Sequence, residues 1–195
     1  MKFSIVVVAY RRYERIPCLM HSLLAQTYSD YEVIVIHDGH DDRHTEAMKP
    51  FIDNPKVTYF QTPIRYNDWG HSLRNIGLTM VKGDFVINTN DDNYYVPVWL
   101  DELNKAISSQ EDCNFVYYQM VSNHNNSKHH NQKSYGVLIP RIELNWIDMG
   151  QFTVKRDVIQ KYQFLKVNEA DGHLIESMKH ELKPVYIDKV LFVHN

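Results

Sequence analysis

The sequence predicts an α/β fold in which a mostly parallel sheet is flanked by helices. Strand-like and helix-like segments alternate through the first half of the 195-residue chain, which is the pattern of repeated right-handed βαβ units. The first predicted strand, residues 3–9, is a nearly continuous apolar run, typical of a parallel strand covered on both faces. Polar clusters follow three of the predicted strands, at the sheet edge where such folds bind ligands.

The predicted elements follow one another in a regular order. After the first strand, residues 12–26 show the apolar spacing of a helix, with Pro17 near its start. The other predicted strands are residues 31–36, 57–61, 85–87, 115–121, 137–139 and 185–193. The other predicted helices are residues 41–50, 69–81 (with Gly83 as a C-cap), 99–108, 152–162 and 172–180. No repeat or linker interrupts this order, so we predict one domain over residues 1–195.

The composition narrows the class of protein. A net charge of −3 gives no electrostatic reason to expect a nucleic-acid partner. Cys18 and Cys113 are the two cysteines, and their spacing is not that of metal ligands. The sequence therefore disfavours both a disulfide framework and a zinc site. The apolar run at the start is too short for a signal peptide, and we find no stretch long enough for a transmembrane segment. A cytoplasmic protein is therefore expected.

Asn90, Asp91 and Asp92 stand directly after a predicted buried strand. Clustered oxygen ligands at a strand end suit Mg²⁺ or Mn²⁺, which would bridge them to substrate phosphates. The alternative is a solvated turn rich in Asn and Asp.

Three further polar residues each allow two interpretations. Asp38, at the end of the second strand, either binds a base or ribose or caps the following helix. Asp171 is either a general base or a carboxylate stabilised by a helix N-terminus. His194, at the end of the last strand, is either a metal ligand or an ordinary surface or core histidine.

Five segments in order share a pattern with one known family: Ser4-Ile-Val-Val-Val-Ala-Tyr10-Arg-Arg12, Ser22-Leu-Leu-Ala-Gln26-Thr-Tyr28, Glu32-Val-Ile-Val-Ile-His-Asp38-Gly39-His-Asp-Asp42, Gly70-His-Ser-Leu-Arg74-Asn75-Ile-Gly77 and Lys82-Gly83-Asp-Phe-Val-Ile-Asn-Thr-Asn90-Asp91-Asp92. With these segments the chain resembles the family-2 glycosyltransferases of the GT-A fold. They are similar to that family's opening strand with its Tyr-Asn-Arg-type loop, its Ser-Leu-x-x-Gln-Thr segment, its Asp-Asp-Gly turn, its Gly-x-x-x-Arg-Asn-x-Gly helix and its Asp-x-Asp motif.

The resemblance implies inverting, metal-assisted transfer of a sugar from a nucleotide-sugar, most often a UDP-sugar, to a saccharide or glycoconjugate acceptor. The nucleotide-binding residues that it implies are Ala9, Tyr10, Arg11, Asp38, Arg74 and Asp91. The metal ligands that it implies, for Mn²⁺ or Mg²⁺, are Asp92, Asn90 and His194. Asp171 matches the family's general base.

The chain departs from the family's pattern at several positions. His37 replaces the first acid of the Asp-Asp-Gly turn, and Asn90 replaces the first Asp of the Asp-x-Asp motif. Ala170 stands where the family has Glu, which leaves Glu169 as an alternative base to Asp171. A non-catalytic nucleotide- or sugar-binding relative is therefore an alternative function. A nucleotidyltransferase is disfavoured because no glycine-rich loop follows the first strand.

The resemblance is nearly continuous over residues 3–103 and thins beyond residue 110. We therefore predict a nucleotide-sugar-binding half over residues 1–110 and an acceptor-binding half over residues 111–195. The chain looks like a minimal catalytic core or a domain of a larger protein. In its second half Trp146 either stacks on a sugar or is a core residue. The loop with His124, His129 and His130 either binds a metal or forms a flexible flap.

Overall fold

The computed structural model describes residues 1–122 and 135–194. In these ranges the strands are β1 (Phe3–Ala9), β2 (Tyr31–His37), β3 (Val57–Gln61), β4 (Phe85–Asn90), β5 (Asn93–Tyr95), β6 (Phe115–Ser122), β7 (Gly136–Leu138), β8 (Phe152–Lys155) and β9 (Pro184–His194). The helices are α1 (Ile16–Leu24), α2 (Asp42–Met48), α3 (His71–Met80), α4 (Trp99–Ser108), α5 (Arg156–Ile159) and α6 (Ala170–Met178), with 3₁₀ turns at Met149–Gln151 and Lys179–Glu181. None of these helices is long and apolar enough to cross a lipid bilayer.

The strands form one mixed sheet in the order β3-β2-β1-β4-β8-β6-β9-β5, with β7 beside β6. The long strand pairs, β1 with β2 and β4, β2 with β3, and β6 with β9, are parallel. The antiparallel pairs of β4 with β8, β5 with β9 and β6 with β7 and β8 are each three residues long. The predicted α/β class with a mostly parallel sheet and flanking helices is confirmed.

Strand β1 lies at the centre of the first half of the sheet and explains the apolar run in the sequence. Every residue of β1 is buried, because helices cover both faces of the sheet. Its side chains alternate between two apolar cores: Ile5 and Val7 pack in one, whereas Val6 and Val8 pack in the other.

The predicted helix over residues 152–162 is confirmed only at Arg156–Ile159, which form α5. Residues 152–155 form β8, which pairs with both β4 and β6, and residues 160–162 lie beyond the helix. The Thr153 hydroxyl donates to the Val86 carbonyl oxygen at 3.0 Å, which satisfies a polar group that is fully buried in the sheet. So short an apolar run has no decisive periodicity, and the pairing partners fix its structure.

Two smaller expectations also change. Strand β5 was not predicted, because it is three residues long and is defined by its pairing with β9. Gly83 is not a left-handed C-cap, since Gly39 and Gly70 are the glycines with positive φ in the described ranges. A Cβ atom at Gly83 would lie 2.6 Å from the Ser4 amide nitrogen. Gly83 therefore permits close approach of the chain to β1.

Candidate active site

A cavity of about 650 Å³ opens at the edge of the sheet where β1, β2 and β4 end. Its lining includes a set from the first half of the chain, the first-half wall, which we define as Ala9, Tyr10, Asp38, Arg74, Asn90 and Asp91. It also includes a set from the second half, the second-half wall, which we define as Asp148, Asn168 and Asp171. The strand-end clusters predicted from sequence therefore meet in one place, as the parallel pairing of these strands requires.

Three of the predicted site residues are not among the lining residues of this cavity: Arg11, Asp92 and His194. The Arg11 side chain is exposed, and its guanidinium lies 5.2 Å from the centre of the Tyr10 ring. The predicted histidines His124, His129 and His130 lie outside the described residues.

Asp38 fastens the loop that follows β3. Its two carboxylate oxygens accept the backbone N–H groups of Tyr66 at 2.7 Å and Asn67 at 2.9 Å. Asp38 does not cap α2, because Asp41 accepts the N–H groups at the start of that helix. Asp38 thus shapes the cavity rim and also lines the cavity.

The rim segment, residues 66–70, has an uncommon backbone. Asn67, Trp69 and Gly70 all have positive φ, a conformation that is costly for a bulky residue such as tryptophan. A Cβ atom at Gly70 would lie 2.8 Å from Val8 Cγ2, so glycine is also required by packing. The segment holds Trp69 at the cavity with 68% of its surface exposed. Sequence reasoning did not single out Trp69.

The Tyr10 ring is enclosed by a second ring and a cation. His37 stacks on it with ring centres 5.9 Å apart, and the Arg65 guanidinium lies 4.1 Å from its centre. His37 Nδ1 lies 2.7 Å from the Gly39 carbonyl oxygen, so Nδ1 carries the proton. Its Nε2 then accepts the Arg11 N–H at 3.2 Å. The His that replaces the family's acid therefore supports the loop after β1.

Arg74 is buried at the base of the cavity. Its guanidinium donates to the Trp69 carbonyl oxygen at 2.9 Å and to Asn90 Oδ1 at 2.6 Å. Its Nε has no hydrogen-bond partner among the described residues. Burial lowers the pKa of Arg74 to about 10, and nearby carboxylates, Asp148 and Asp171 first among them, oppose that shift. Arg74 therefore stays charged at neutral pH beside the cavity that it lines.

The acidic pair after β4 is already compensated by arginine. Arg12 Nη1 lies 2.7 Å from Asp91 Oδ1 and 3.0 Å from Asp92 Oδ2, and Arg15 Nη1 lies 3.5 Å from Asp92 Oδ2. The other oxygen of Asp91 accepts the Tyr10 N–H at 2.9 Å. Burial raises the pKa of Asp91, and the charge of Arg12 opposes that shift.

The residues that the resemblance implies as metal ligands are of chemical types that bind divalent cations. Asn90 and Asp92 supply the oxygen ligands that Mn²⁺ and Mg²⁺ prefer. His194 Nδ1 lies 2.9 Å from Asn93 Oδ1, one residue beyond the acidic pair. Within the described ranges, however, no three His, Cys, Asp or Glu side chains form a preformed metal cluster. A cation at this place would have to displace Arg12 from the carboxylates.

Asp171 lies in the first turn of α6 and lines the cavity, whereas the alternative base Glu169 is exposed and does not. The Gly172 N–H donates to Asp171 Oδ1 at 2.8 Å. Burial, and after it the charge of Asp148, raises the pKa of Asp171, while Arg74 opposes the shift. A carboxylate whose pKa is raised toward neutrality is better suited to accept a proton.

Asp148 is a cavity residue that sequence reasoning did not single out. It caps the 3₁₀ turn Met149–Gln151, accepting the Gly150 N–H at 2.8 Å, while the Gln151 side chain accepts the Asp148 N–H at 3.0 Å. The spacing of Asp148 and Gln151 is that of a capping box, and this sequence signal could have indicated Asp148 as a turn-capping residue. The neighbouring Trp146 is half exposed, with Arg141 at 4.4 Å from its ring, so Trp146 is not a core residue.

Comparisons with known proteins identify the family and the fold of the chain. The sequence profile described as Glycosyl transferase family 2 matches residues 4–167. The chain is 30% identical over 122 residues to the uncharacterized glycosyltransferase YwdF of Bacillus subtilis, covering 60% of this chain and 41% of that protein. It is 29% identical over 117 residues to an uncharacterized glycosyltransferase of Haemophilus influenzae, covering 59% of this chain and 37% of that protein. The chain thus spans about two fifths of the length of these relatives.

Solved structures with the same fold contain nucleotide-sugars. S. aureus TarS 1–349 in complex with UDP-GlcNAc matches with a TM-score of 0.80 at 17% identity, over 100% of this chain and 58% of that one. The mannosyltransferase PcManGT from Pyrobaculum calidifontis, in complex with GDP-Man and Mn²⁺, matches with a TM-score of 0.75 at 14% identity, over 98% of this chain and 56% of that one. At these identities the likeness establishes the fold.

Proposed function

Because the chain belongs to glycosyltransferase family 2 and has the GT-A fold, we propose that it transfers a sugar from a nucleoside-diphosphate sugar to an acceptor hydroxyl, with inversion at the anomeric carbon. The observation that carries this proposal is the meeting of Asp171 with Tyr10, Asp38 and Arg74 in one cavity. A candidate base for the acceptor and candidate groups for the donor nucleotide thereby line the same cavity.

The first-half wall is the proposed donor site. Ala9, Tyr10 and Asp38 would surround the nucleobase and ribose, with Arg11 supporting the Tyr10 ring. The charged guanidinium of Arg74, which lines the cavity, would face the donor nucleotide, and Asp91 would lie beside it at the end of β4. A UDP-sugar is the donor that we favour, because TarS was solved with UDP-GlcNAc. GDP is the alternative, because PcManGT was solved with GDP-Man.

The second-half wall is the proposed place of the chemistry. Asp171 would accept the proton of the acceptor hydroxyl while that oxygen attacks the anomeric carbon and the bond to the nucleoside diphosphate breaks. One carboxylate on the acceptor side, opposite the departing diphosphate, is what a single displacement with inversion requires. The acceptor would be a saccharide or glycoconjugate, and the exposed ring of Trp146 would stack on it.

We propose Mn²⁺ or Mg²⁺ as the cofactor, held by Asp92 and Asn90 with His194 nearby. Such an ion, when bound, would stabilise negative charge on the leaving diphosphate as a Lewis acid. This chain would present oxygen ligands at the end of β4, and Asp92 would exchange its present contact with Arg12.

The first experiment is a thermal-shift screen of UDP, GDP, dTDP and their common sugars, with and without Mn²⁺. A ligand that binds the native state raises the melting temperature by mass action. We expect a shift for one nucleotide and a larger one when Mn²⁺ is present. Donor binding with neither hydrolysis nor transfer would instead support a non-catalytic binding protein. The absence of any shift would contradict the proposed donor site.

A further inference from the structure

A single nitrogen atom joins the two carboxylates that follow β4. Arg12 Nη1 is within 2.7 Å of Asp91 Oδ1 and 3.0 Å of Asp92 Oδ2. The two carboxylate side chains are 2% and 3% exposed, whereas the Arg12 side chain is 45% exposed and lines the cavity. The cluster therefore joins buried anions to accessible cations: Arg12, which contacts both carboxylates, and Arg15, which is 54% exposed and lies 3.5 Å from Asp92 Oδ2.

The contacts of Arg12 are those that a divalent cation would make at the same oxygens. Two adjacent buried carboxylates require a compensating positive charge, because an uncompensated buried charge is strongly destabilising. An arginine or an oxygen-preferring metal ion supplies that charge. The third oxygen ligand is also engaged, since Asn90 Oδ1 accepts from Arg74 at 2.6 Å. Metal and guanidinium therefore compete for one set of oxygens.

We propose that Arg12 is an exchangeable internal cation that couples metal binding to donor binding. Without a donor, Arg12 neutralises Asp91 and Asp92 and keeps the affinity for a divalent cation low. When a nucleoside diphosphate enters, its phosphates offer Arg12 a new anionic partner in the cavity, and the carboxylates become available to the metal. This inference rests on the proposed function for its donor, but the competition itself involves the metal alone.

Exposure is what makes the exchange physically accessible. Arg12 precedes α1, lines the cavity and belongs to neither apolar core, so rotation of its side chain would move the guanidinium without unpacking a core. Arg74, by contrast, is 3% exposed and is bonded to the Trp69 carbonyl oxygen, so it cannot leave in this way. By reciprocity, a nucleotide that draws Arg12 away must strengthen metal binding by the same factor as the metal strengthens nucleotide binding.

The test measures Mn²⁺ binding in the absence of nucleotide, by the electron paramagnetic resonance signal of free Mn²⁺. Arg12→Gln removes the one charge that contacts both carboxylates, whereas Arg15 stays at Asp92. We therefore expect its Mn²⁺ affinity to rise by about tenfold or more over the wild type, since charge interactions at buried sites are large. Arg65→Gln is the matched control. It removes the same charge from the same cavity, but its guanidinium contacts Asn67 and the Tyr10 ring. We expect its Mn²⁺ affinity to stay near the wild-type value.

Each result decides for or against the exchange. The exchange is supported if Arg12→Gln folds only in the presence of Mn²⁺. It is also supported if Arg12→Lys, which keeps the charge on a shorter side chain, has an Mn²⁺ affinity between those of the wild type and Arg12→Gln. Unchanged or weaker Mn²⁺ binding by Arg12→Gln overturns it, and so does an equal gain in Arg65→Gln. If Arg12→Gln does not fold at all, the affinity of Arg12→Lys decides alone: no gain over the wild type overturns the exchange. If the wild-type protein binds no nucleotide, the proposed donor site is contradicted. The Mn²⁺ titration still tests the competition between Arg12 and the metal, because it contains no nucleotide.

Discussion

The polar side chains of the first-half wall and of the second-half wall differ in their hydrogen-bond and ion-pair partners. In the first-half wall each acid has partners supplied by the chain. Asp38 holds two backbone N–H groups, Asp91 holds the Tyr10 N–H and Arg12, and Asn90 accepts from Arg74. In the second-half wall Asp171 bonds to the backbone of its own helix, and burial, followed by the charge of Asp148, raises the pKa of Asp171.

This difference separates shape from reactivity. Bonds within the first-half wall hold the loops after β1, β2 and β3 in one arrangement before any ligand arrives, which is how binding sites reduce the entropic cost of association. The second-half wall leaves a carboxylate whose charge is less compensated, as a proton acceptor requires. Substitutions in the first wall should therefore affect mainly binding and stability, and those in the second mainly catalysis.

The largest effect that tests this contrast is expected for Asp171→Asn. The amide keeps the size of the side chain but cannot accept the proton of the acceptor hydroxyl. We expect transfer to fall by roughly 10²–10⁴-fold, the usual contribution of a general base. Nucleotide affinity, measured by thermal shift or calorimetry, should stay close to that of the wild type. A loss of donor binding in this variant would break the proposed division between the two walls.

Glu169→Gln distinguishes the two candidate bases. Glu169 is exposed and contacts Asn168, and it does not line the cavity. We therefore expect this variant to retain transfer activity under the same assay. Retained activity in Asp171→Asn together with loss in Glu169→Gln would move the base to Glu169.

The next effect is expected for Asp38→Asn in the first-half wall. An amide offers one acceptor oxygen where the carboxylate accepts two N–H groups, so one of the bonds to Tyr66 and Asn67 is lost. Hydrogen bonds to a charged group are worth about 1.5–3 kcal/mol, so nucleotide affinity should fall by roughly tenfold or more. The melting temperature should also fall. Asp41→Asn is the control, because asparagine can still cap α2. Equal losses in both variants would contradict a specific role for Asp38.

The fold was largely predictable because its main strands are buried on both faces. The apolar runs of β1 and β2 and the helical spacing of α4 leave few other interpretations. The errors fall on β5 and β8, which are three and four residues long. Strands this short take their structure from pairing partners that are distant in sequence, and a local pattern does not contain that information.

The site was predictable where a strand end positions the residue and not where a distant contact does. Asp38, Asn90 and Asp91 follow from the meeting of parallel strand ends. The contact of Arg12 with Asp91 joins positions 79 residues apart, and no local spacing indicates it. Motif residues also proved to be structural: Asn75 exchanges two hydrogen bonds with the Phe164 backbone. A motif therefore indicates a region of the fold more surely than the role of each residue.

A smaller effect sharpens the description of the second-half wall. Asp148→Asn removes a negative charge that raises the pKa of Asp171, and asparagine can still cap the 3₁₀ turn. The pKa of Asp171 should therefore fall, and the acid limb of the pH profile of kcat/KM should move to lower pH. Asp157→Asn removes the same charge from the exposed start of α5 and should leave that limb in place. If the acid limb of the Asp148→Asn profile stays at the wild-type pH, Asp148 does not raise the pKa of the base.

The smallest expected effect tests the support behind the first-half wall. His44 is fully buried against His37, with ring centres 4.2 Å apart, and burial lowers the pKa of His44 to about 4. The unfolded chain, with a histidine pKa of about 6.5, therefore binds a proton first as the pH falls. Above about pH 6.5 His44 is neutral in both states, so its titration does not change the free energy of unfolding. Between pH 6.5 and about 4 the unfolded chain binds the proton more tightly, so stability should decline.

His44→Asn should flatten that decline, because asparagine does not titrate and still offers a partner to the Tyr59 hydroxyl, which lies 3.1 Å from His44 Nδ1. The measurement is the melting temperature of both proteins from pH 7 to pH 4.5, with an expected difference in slope worth roughly 2–4 °C over that range. His180→Asn, at an exposed histidine, should follow the wild type. Parallel curves for His44→Asn and the wild type would show that the loops of the first-half wall do not depend on a neutral histidine beneath them.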